Sequence, residues 1–187
     1  MKVLVTGGAG FIGSEIVREL DARGADVVVL DYAPHAMEYQ QYATVYAVDV
    51  STNLHDIFER EQPEYVIHHA AQVSVSTSMK QPDLDGKLNI LATINVLKMC
   101  VTYGVKQFVF ASSAAVYGYP HTANIDEDTL CQPLSFYGLS KLQAEAYIRF
   151  FAKQYRLDCT ILRYSNVYGP GNLQKVRQVS SPCLFTN

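Results

Sequence analysis

The sequence predicts an α/β fold, a doubly wound parallel sheet with helices on both faces. Three observations carry this. Six short β-branched runs alternate with longer segments of helical period. The runs are continuously apolar, as strands covered on both faces are. A glycine-rich turn follows the first run directly. At 187 residues the chain has room for one full domain with a sizeable core.

The predicted strands are KVLVT (2 to 6), DVVVL (26 to 30), TVYAV (44 to 48), EYVIH (64 to 68), QFVFA (107 to 111) and CTILR (159 to 163). Between the first two, Ile12, Ile16, Val17 and Leu20 form one helical stripe, and Gly24 stands where a helix end favours positive φ. After the third, Ser51 is the expected N-cap of a helix through Arg60, stopped by Pro63. A helix from about Leu84 to Tyr103 carries Leu88, Leu91, Val96 and Leu97, with Gly104 closing it. A last helix, Tyr137 to Tyr155, carries Leu142, Ala146 and Ile148. The stretch from Tyr117 to Phe136 lacks periodicity and is long for a loop, which makes it a candidate for function.

Composition narrows the partners. The chain is 49% hydrophobic and 18% charged with a net charge of −3, so it offers no basic field to nucleic acid or an anionic membrane. No apolar stretch approaches the roughly 18 residues of a membrane helix, and nothing at the start reads as a signal peptide. Cys100, Cys131, Cys159 and Cys183 are widely spaced and read as reduced thiols of a cytoplasmic protein. His68 and His69 would point to opposite faces of a strand and cannot share a metal.

The turn Gly7-Gly8-Ala9-Gly10-Phe11-Ile12-Gly13 lies between strand and helix, and the second strand ends at Asp31, eighteen positions after Gly13. This is the pattern of a Rossmann-type dinucleotide site. Gly7 permits the tight turn, Gly10 lets the backbone approach a pyrophosphate, and Gly13 lets the helix pack on the sheet. The helix N-terminus offers N–H groups to the phosphates. Asp31 would accept from the adenosine ribose hydroxyls and repel a 2′-phosphate, so NAD is the expected cofactor. Asp49 and Val50 follow the third strand and are candidates for the adenine, although Asp49 also suits the start of a helix. His69, Ala70 and Ala71 follow the fourth.

Near the other end, Tyr137 and Lys141 stand at helical spacing, compatible with a proton-transfer pair or with a core aromatic beside a solvated charge. The wider context favours chemistry. VTGGAGFIGSEIV (5 to 17), Asp31, HHAAQVSV (68 to 75), Asn89, SSAAVYG (112 to 118), YGLSK (137 to 141) and LRYSNVYGPGN (162 to 172) together resemble the extended short-chain dehydrogenase/reductase family, the NAD-dependent epimerases and dehydratases of nucleotide sugars. The resemblance covers residues 1–172, the expected NAD-binding domain, and leaves 173–187 as an atypical tail.

The resemblance implies a Ser-Tyr-Lys site. Tyr137 would be the base, its phenolate favoured by the Lys141 ammonium and by oxidised nicotinamide, with Lys141 also on the nicotinamide ribose. Ser113, chosen over Ser112 by alignment on the shared VYG, would serve the reacting oxygen. Phe11 and Ile12 would join the glycines around the cofactor, and Tyr164 would border the nicotinamide. Asn166 would contact the sugar diphosphate, though a polar turn residue also suits its position.

Three features depart from the family pattern: Leu88 before Asn89, the uncharged Val73 to Ser76, and a sequence after Asn172 that lacks the substrate-binding remainder. The expected function is that of an NAD-dependent nucleotide-sugar epimerase in C-terminally truncated form, with a UDP- or dTDP-linked sugar as partner. Ala114, Ala115, Phe136 and Gly138 supply no acidic pair, which makes a dehydratase the lesser expectation. A non-catalytic NAD-binding module and a small-carbonyl reductase remain open. The two long helices carry more apolar surface than one sheet face needs; the resemblance implies that such a pair builds a homodimer contact, and aggregation through an exposed apolar face is the alternative.

Overall fold

Each of the six predicted runs forms a strand in the computed structural model, which describes residues 1–119 and 124–169. Pro170 to Asn172 and the predicted tail 173–187 lie outside the described residues, as does Cys183. The strands are β1 (Lys2–Thr6), β2 (Asp26–Leu30), β3 (Thr44–Tyr46), β4 (Tyr65–His68), β5 (Gln107–Ser113) and β6 (Asp158–Tyr164). All are parallel, in the order β3-β2-β1-β4-β5-β6. This is the doubly wound order in which the strand sequence reverses between β1 and β4.

Side-chain alternation splits the interior into two cores. Leu4, Val28, Leu30, Val66, Phe108 and Phe110 face one side, where they meet Leu54, Phe58, Val96, Leu97, Ala144 and Ile148. Val3, Val5, Val27 and Val29 face the other, against Val17. Fully burying one such side chain stabilises the fold by roughly 1.5–3 kcal/mol. Helix α1 (Phe11–Ala22) covers the second side, and Gly24 follows it at φ +75°. Helices α2 (His55–Glu61), α5 (Ala92–Thr102) and α6 (Phe136–Tyr155) cover the first.

Three expectations need correction. The helix expected from Ser51 begins at His55, because Ser51 N–H donates to Asp49 Oδ1 and Asn53 Oδ1 accepts from His55 N–H. The helix expected from Leu84 is composite: α4 (Pro82–Gly86), one π-helical turn (Lys87–Leu91), then α5. The wider turn shifts the helical phase, so Leu91 points outward at 62% exposure while Val96 and Leu97 are buried. On α6, Ala146 is exposed, and the inward face is Lys141, Ala144, Glu145 and Ile148. Helix α3 (Val75–Lys80) and 3₁₀ turns at Pro34–Gln41 and Ala114–Val116 complete the described elements.

Because every strand runs the same way, the ends that precede Gly7, Asp31, His69, Ala114 and Ser165 lie along one sheet edge. Ligands of such sheets bind at that edge. No helix among the described residues is long and apolar enough to cross a membrane.

Candidate active site

The glycine turn is shaped by its own backbone. Gly7 stands at φ +70°, and a Cβ there would lie 2.6 Å from Ala70 N. A Cβ on Gly13 would lie 2.1 Å from the Gly7 carbonyl oxygen, so α1 can start this close to β1 only without a side chain. At Gly10, the N-cap of α1, the Gly7 carbonyl oxygen at 3.2 Å is all that a Cβ would meet. The exposed side of the turn is thus open to a ligand, over a helix N-terminus whose first N–H groups lack intrahelical acceptors. Phe11 and Ile12, half-buried, form the first turn.

Asp31 is built into the same corner. Its Oδ2 accepts from Ala9 N–H and its Oδ1 from Ala33 N–H, both at 2.9 Å. Each carboxylate oxygen has further acceptor capacity, so the side chain is fixed and still able to take hydroxyl donors. These features fit a dinucleotide with a free ribose.

Asp49 has a local structural use, its Oδ1 accepting from Ser51 N–H at 2.8 Å. Val50 is packed in the core at 7% exposure. Ala70 N–H donates to Thr6 Oγ1 at 3.2 Å, which ties the segment after β4, with half-buried Ala71, to the end of β1. His69 stacks on Tyr164 with ring centroids 5.8 Å apart. Burial, aided by the Lys141 charge, lowers the His69 pKa to about 4.

At the other half of the edge, Ser112 and Ser113 end β5 and point opposite ways. Ser112 Oγ, buried, donates to Glu145. Ser113 Oγ accepts from Ala115 N–H at 3.1 Å and acts on Tyr137, favouring the phenolate. Ser135 caps α6 by accepting from Gly138 N–H at 3.0 Å, which puts Tyr137 in the first turn. A Cβ on Gly138 would lie 2.5 Å from the Ala115 carbonyl oxygen. The glycine between tyrosine and lysine is what lets α6 approach the turn after Ser113.

Lys141, one turn on, is buried at 3% exposure. Its Nζ donates to the Ala111 carbonyl at 2.9 Å and lies 4.8 Å from the Phe110 ring centroid. Desolvation lowers its pKa to about 8, with the Asp85 charge acting in the opposite direction. Tyr137 is raised above its ordinary value, first by burial and further by Asp85, against the pull of Ser113. The sequence expectation gave Lys141 the part of lowering Tyr137; in this protein burial outweighs the local hydrogen bond. Asn166 is exposed just beyond β6. The structure thus gathers Ser113, Tyr137, Lys141, His69 and Tyr164 at one end of the edge, and the glycine turn with Asp31 at the other.

Several supporting contacts escaped the sequence reading. Glu145 accepts from Ser112 at 2.5 Å, from Arg163 Nη2 at 2.8 Å and from Arg149 Nη2 at 2.9 Å. Arg163 also donates to Tyr117 Oη at 2.9 Å, anchoring the loop after Ser113. Asn89 Nδ2 donates to Ser140 Oγ and Asp85 Oδ1, joining the π turn to α6. The only local signal was the four-residue spacing Tyr137, Lys141, Glu145, Arg149.

Residues 3–182 match the NAD dependent epimerase/dehydratase family. The chain belongs to that family. Its members use NAD, the cofactor the glycine turn and Asp31 had pointed to. Among solved structures, the NAD dependent epimerase/dehydratase fold of this chain is similar to a UDP-glucose 4-epimerase of Thermus thermophilus in complex with NAD, at 41% identity and TM-score 0.87, over 91% of this chain and 57% of that one. It is also similar to the Thermotoga maritima UDP-glucose 4-epimerase with UDP-glucose, at 38% identity and TM-score 0.83, over 91% and 57%. A UDP-glucose 4-epimerase of Mycolicibacterium smegmatis is 36% identical over 91% of this chain and 57% of its own length. The chain spans about half the length of the curated relatives it matches.

Proposed function

We propose that this chain carries the cofactor site and the chemical centre of an NAD-dependent nucleotide-sugar 4-epimerase. The observation that supports this most is that Ser113, Tyr137 and Lys141 meet at the sheet edge that also carries the glycine turn and Asp31. Gly7, Gly10, Phe11, Ile12, Gly13, Asp31 and the 69–71 segment would hold NAD. Asp49 and Val50 would serve its adenine end, and Tyr164 with Lys141 its reactive end. When bound, NAD supplies the hydride acceptor and donor and a positive charge of the sign that ionisation of Tyr137 requires. Tyr137 takes the proton from the sugar hydroxyl and later returns it. Ser113 donates to the oxygen that gains charge, and Lys141, one helical turn from Tyr137, holds a buried positive charge on the Ala111 carbonyl. Positioned proton transfer of this kind contributes about 10²–10⁴-fold. Asn166 would meet the diphosphate of a UDP- or dTDP-linked sugar.

The Tyr137 hydroxyl, held protonated by burial, favours one second reading, an NAD-binding module without turnover. Mixing the chain with NAD and UDP-glucose and following absorbance at the reduced-nicotinamide band separates the two. Slow reduction, lost in Tyr137→Phe, supports the catalytic reading; NAD binding with no reduction supports the module. Failure to bind NAD contradicts both. We also propose self-association through the outward Leu91 and the exposed Leu139, Tyr147 and Phe150 of α6. Sedimentation equilibrium tests it, a strictly monomeric chain being the contrary result.

A further inference from the structure

Asp85 is sealed from solvent at 1% exposure, and the chemistry above gives it no part. Its Oδ1 accepts from Gln72 Nε2 at 2.8 Å and from Asn89 Nδ2 at 3.1 Å, both neutral amides. Its Oδ2 has no protein hydrogen-bond partner among the described residues. A carboxylate taken out of water on these terms is costly unless a cation compensates it.

The cations around it reduce to one. Lys80 of α3, Lys87 of the π turn and Lys98 of α5 are exposed. Arg149 and Arg163 are both committed to Glu145. Burial holds His68 and His69 neutral, with pKa values of about 3 and about 4. Lys141 remains, the buried lysine of the described chain, donating to a neutral carbonyl and facing an aromatic ring. Asn89 Nδ2 spans the gap between the two elements, donating to Asp85 on α4 and to Ser140, the neighbour of Lys141, on α6.

We propose that Asp85 is the counter-charge of Lys141, a positioning residue whose buried carboxylate keeps the ammonium charged and in place one helical turn from Tyr137. The two buried groups compensate each other without touching an exposed partner. The Asp85 charge supports the protonated lysine against desolvation and also opposes ionisation of Tyr137. The charge compensation stands on the burial of both groups and on the Asn89 bridge from Asp85 to Ser140; its consequence for proton transfer rests on the function proposed above.

The test needs neither cofactor nor substrate, so its outcome is separate from that of the functional reading. The chain is labelled with ¹³Cε-lysine and titrated by NMR, with the Lys141 resonance assigned by Lys141→Arg. Asp85→Asn keeps an acceptor for Gln72 and Asn89 and removes the charge. The Lys141 midpoint, near 8 in the parent, is expected to fall by at least one pH unit, about a tenfold change in proton affinity. An unchanged midpoint in Asp85→Asn overturns the proposal. Should that variant fail to fold, the double variant Asp85→Asn, Lys141→Met reads the pair from the other side. Leaving neither charge buried, it is expected to regain cooperative unfolding, and a double variant that fails as badly as Asp85→Asn alone overturns the proposal.

Discussion

Ser112 Oγ donates to Glu145 Oε1 at 2.5 Å, inside an interior where the Glu145 side chain is 0% exposed. The same carboxylate takes the Arg163 guanidinium at 2.8 Å, so one buried charge holds the strand end beside Ser113 and the loop that Arg163 reaches through Tyr117. Removing it leaves a nearly buried arginine, 12% exposed, without its anion. Glu145→Ala is therefore expected to cost about 3–5 kcal/mol in urea unfolding. The pair also sets an acid limit. Hydrogen bonds from Arg163 and Ser112 outweigh desolvation and hold the Glu145 pKa below its ordinary value, so its contribution is present above about pH 4.5 and lost as pH falls through the lower folded value.

Gly138 should tolerate no side chain. A Cβ there would come within 2.5 Å of backbone at Ala115 and force α6 away from the turn after Ser113. Gly138→Ala is expected to destabilise by about 1–3 kcal/mol. It should also weaken any Tyr137-dependent reduction of NAD beyond what the stability loss explains, compared at a temperature where both proteins are folded.

His68 makes a second, independent pH effect. Thr6 Oγ1 accepts from Ala70 N–H, so its own hydroxyl is free to donate to His68 Nδ1 at 2.6 Å, and Nε2 then donates to Thr93 Oγ1 at 3.1 Å. The site takes a neutral imidazole, and burial depresses the folded pKa to about 3. The unfolded chain binds the proton first. Stability is thus full above about pH 6.5 and declines toward pH 3, at up to about 1.4 kcal/mol per pH unit for this group. Urea midpoints measured across that range should fall less steeply in His68→Gln.

Cofactor choice rests on Asp31. A 2′-phosphate placed against its carboxylate meets like charge, so NADP should bind at least tenfold more weakly than NAD. Asp31→Ser is expected to narrow that ratio, chiefly by losing NAD affinity.

The strands were readable because Val3 to Val5 and Val27 to Leu30 are buried on both faces, which writes a continuous apolar run into the sequence. The glycine turn was readable because its spacing is enforced by backbone contacts between Gly7 and Gly13. Leu91 was misassigned because a π turn shifts phase without any residue type that marks it. The inward face of α6 was hidden because Lys141 and Glu145 are charged, and charge on a helix ordinarily reads as solvent-facing. Glu145 with Arg163, and Asp85 with Lys141, join distant parts of the chain, so no local spacing announces them.

The most direct test of the account is calorimetric titration of the chain with NAD. The account predicts saturable one-to-one binding that is abolished in Gly13→Val, where a side chain would meet the Gly7 carbonyl, and retained in Tyr137→Phe. No binding, or binding that survives Gly13→Val in a folded protein, would contradict it.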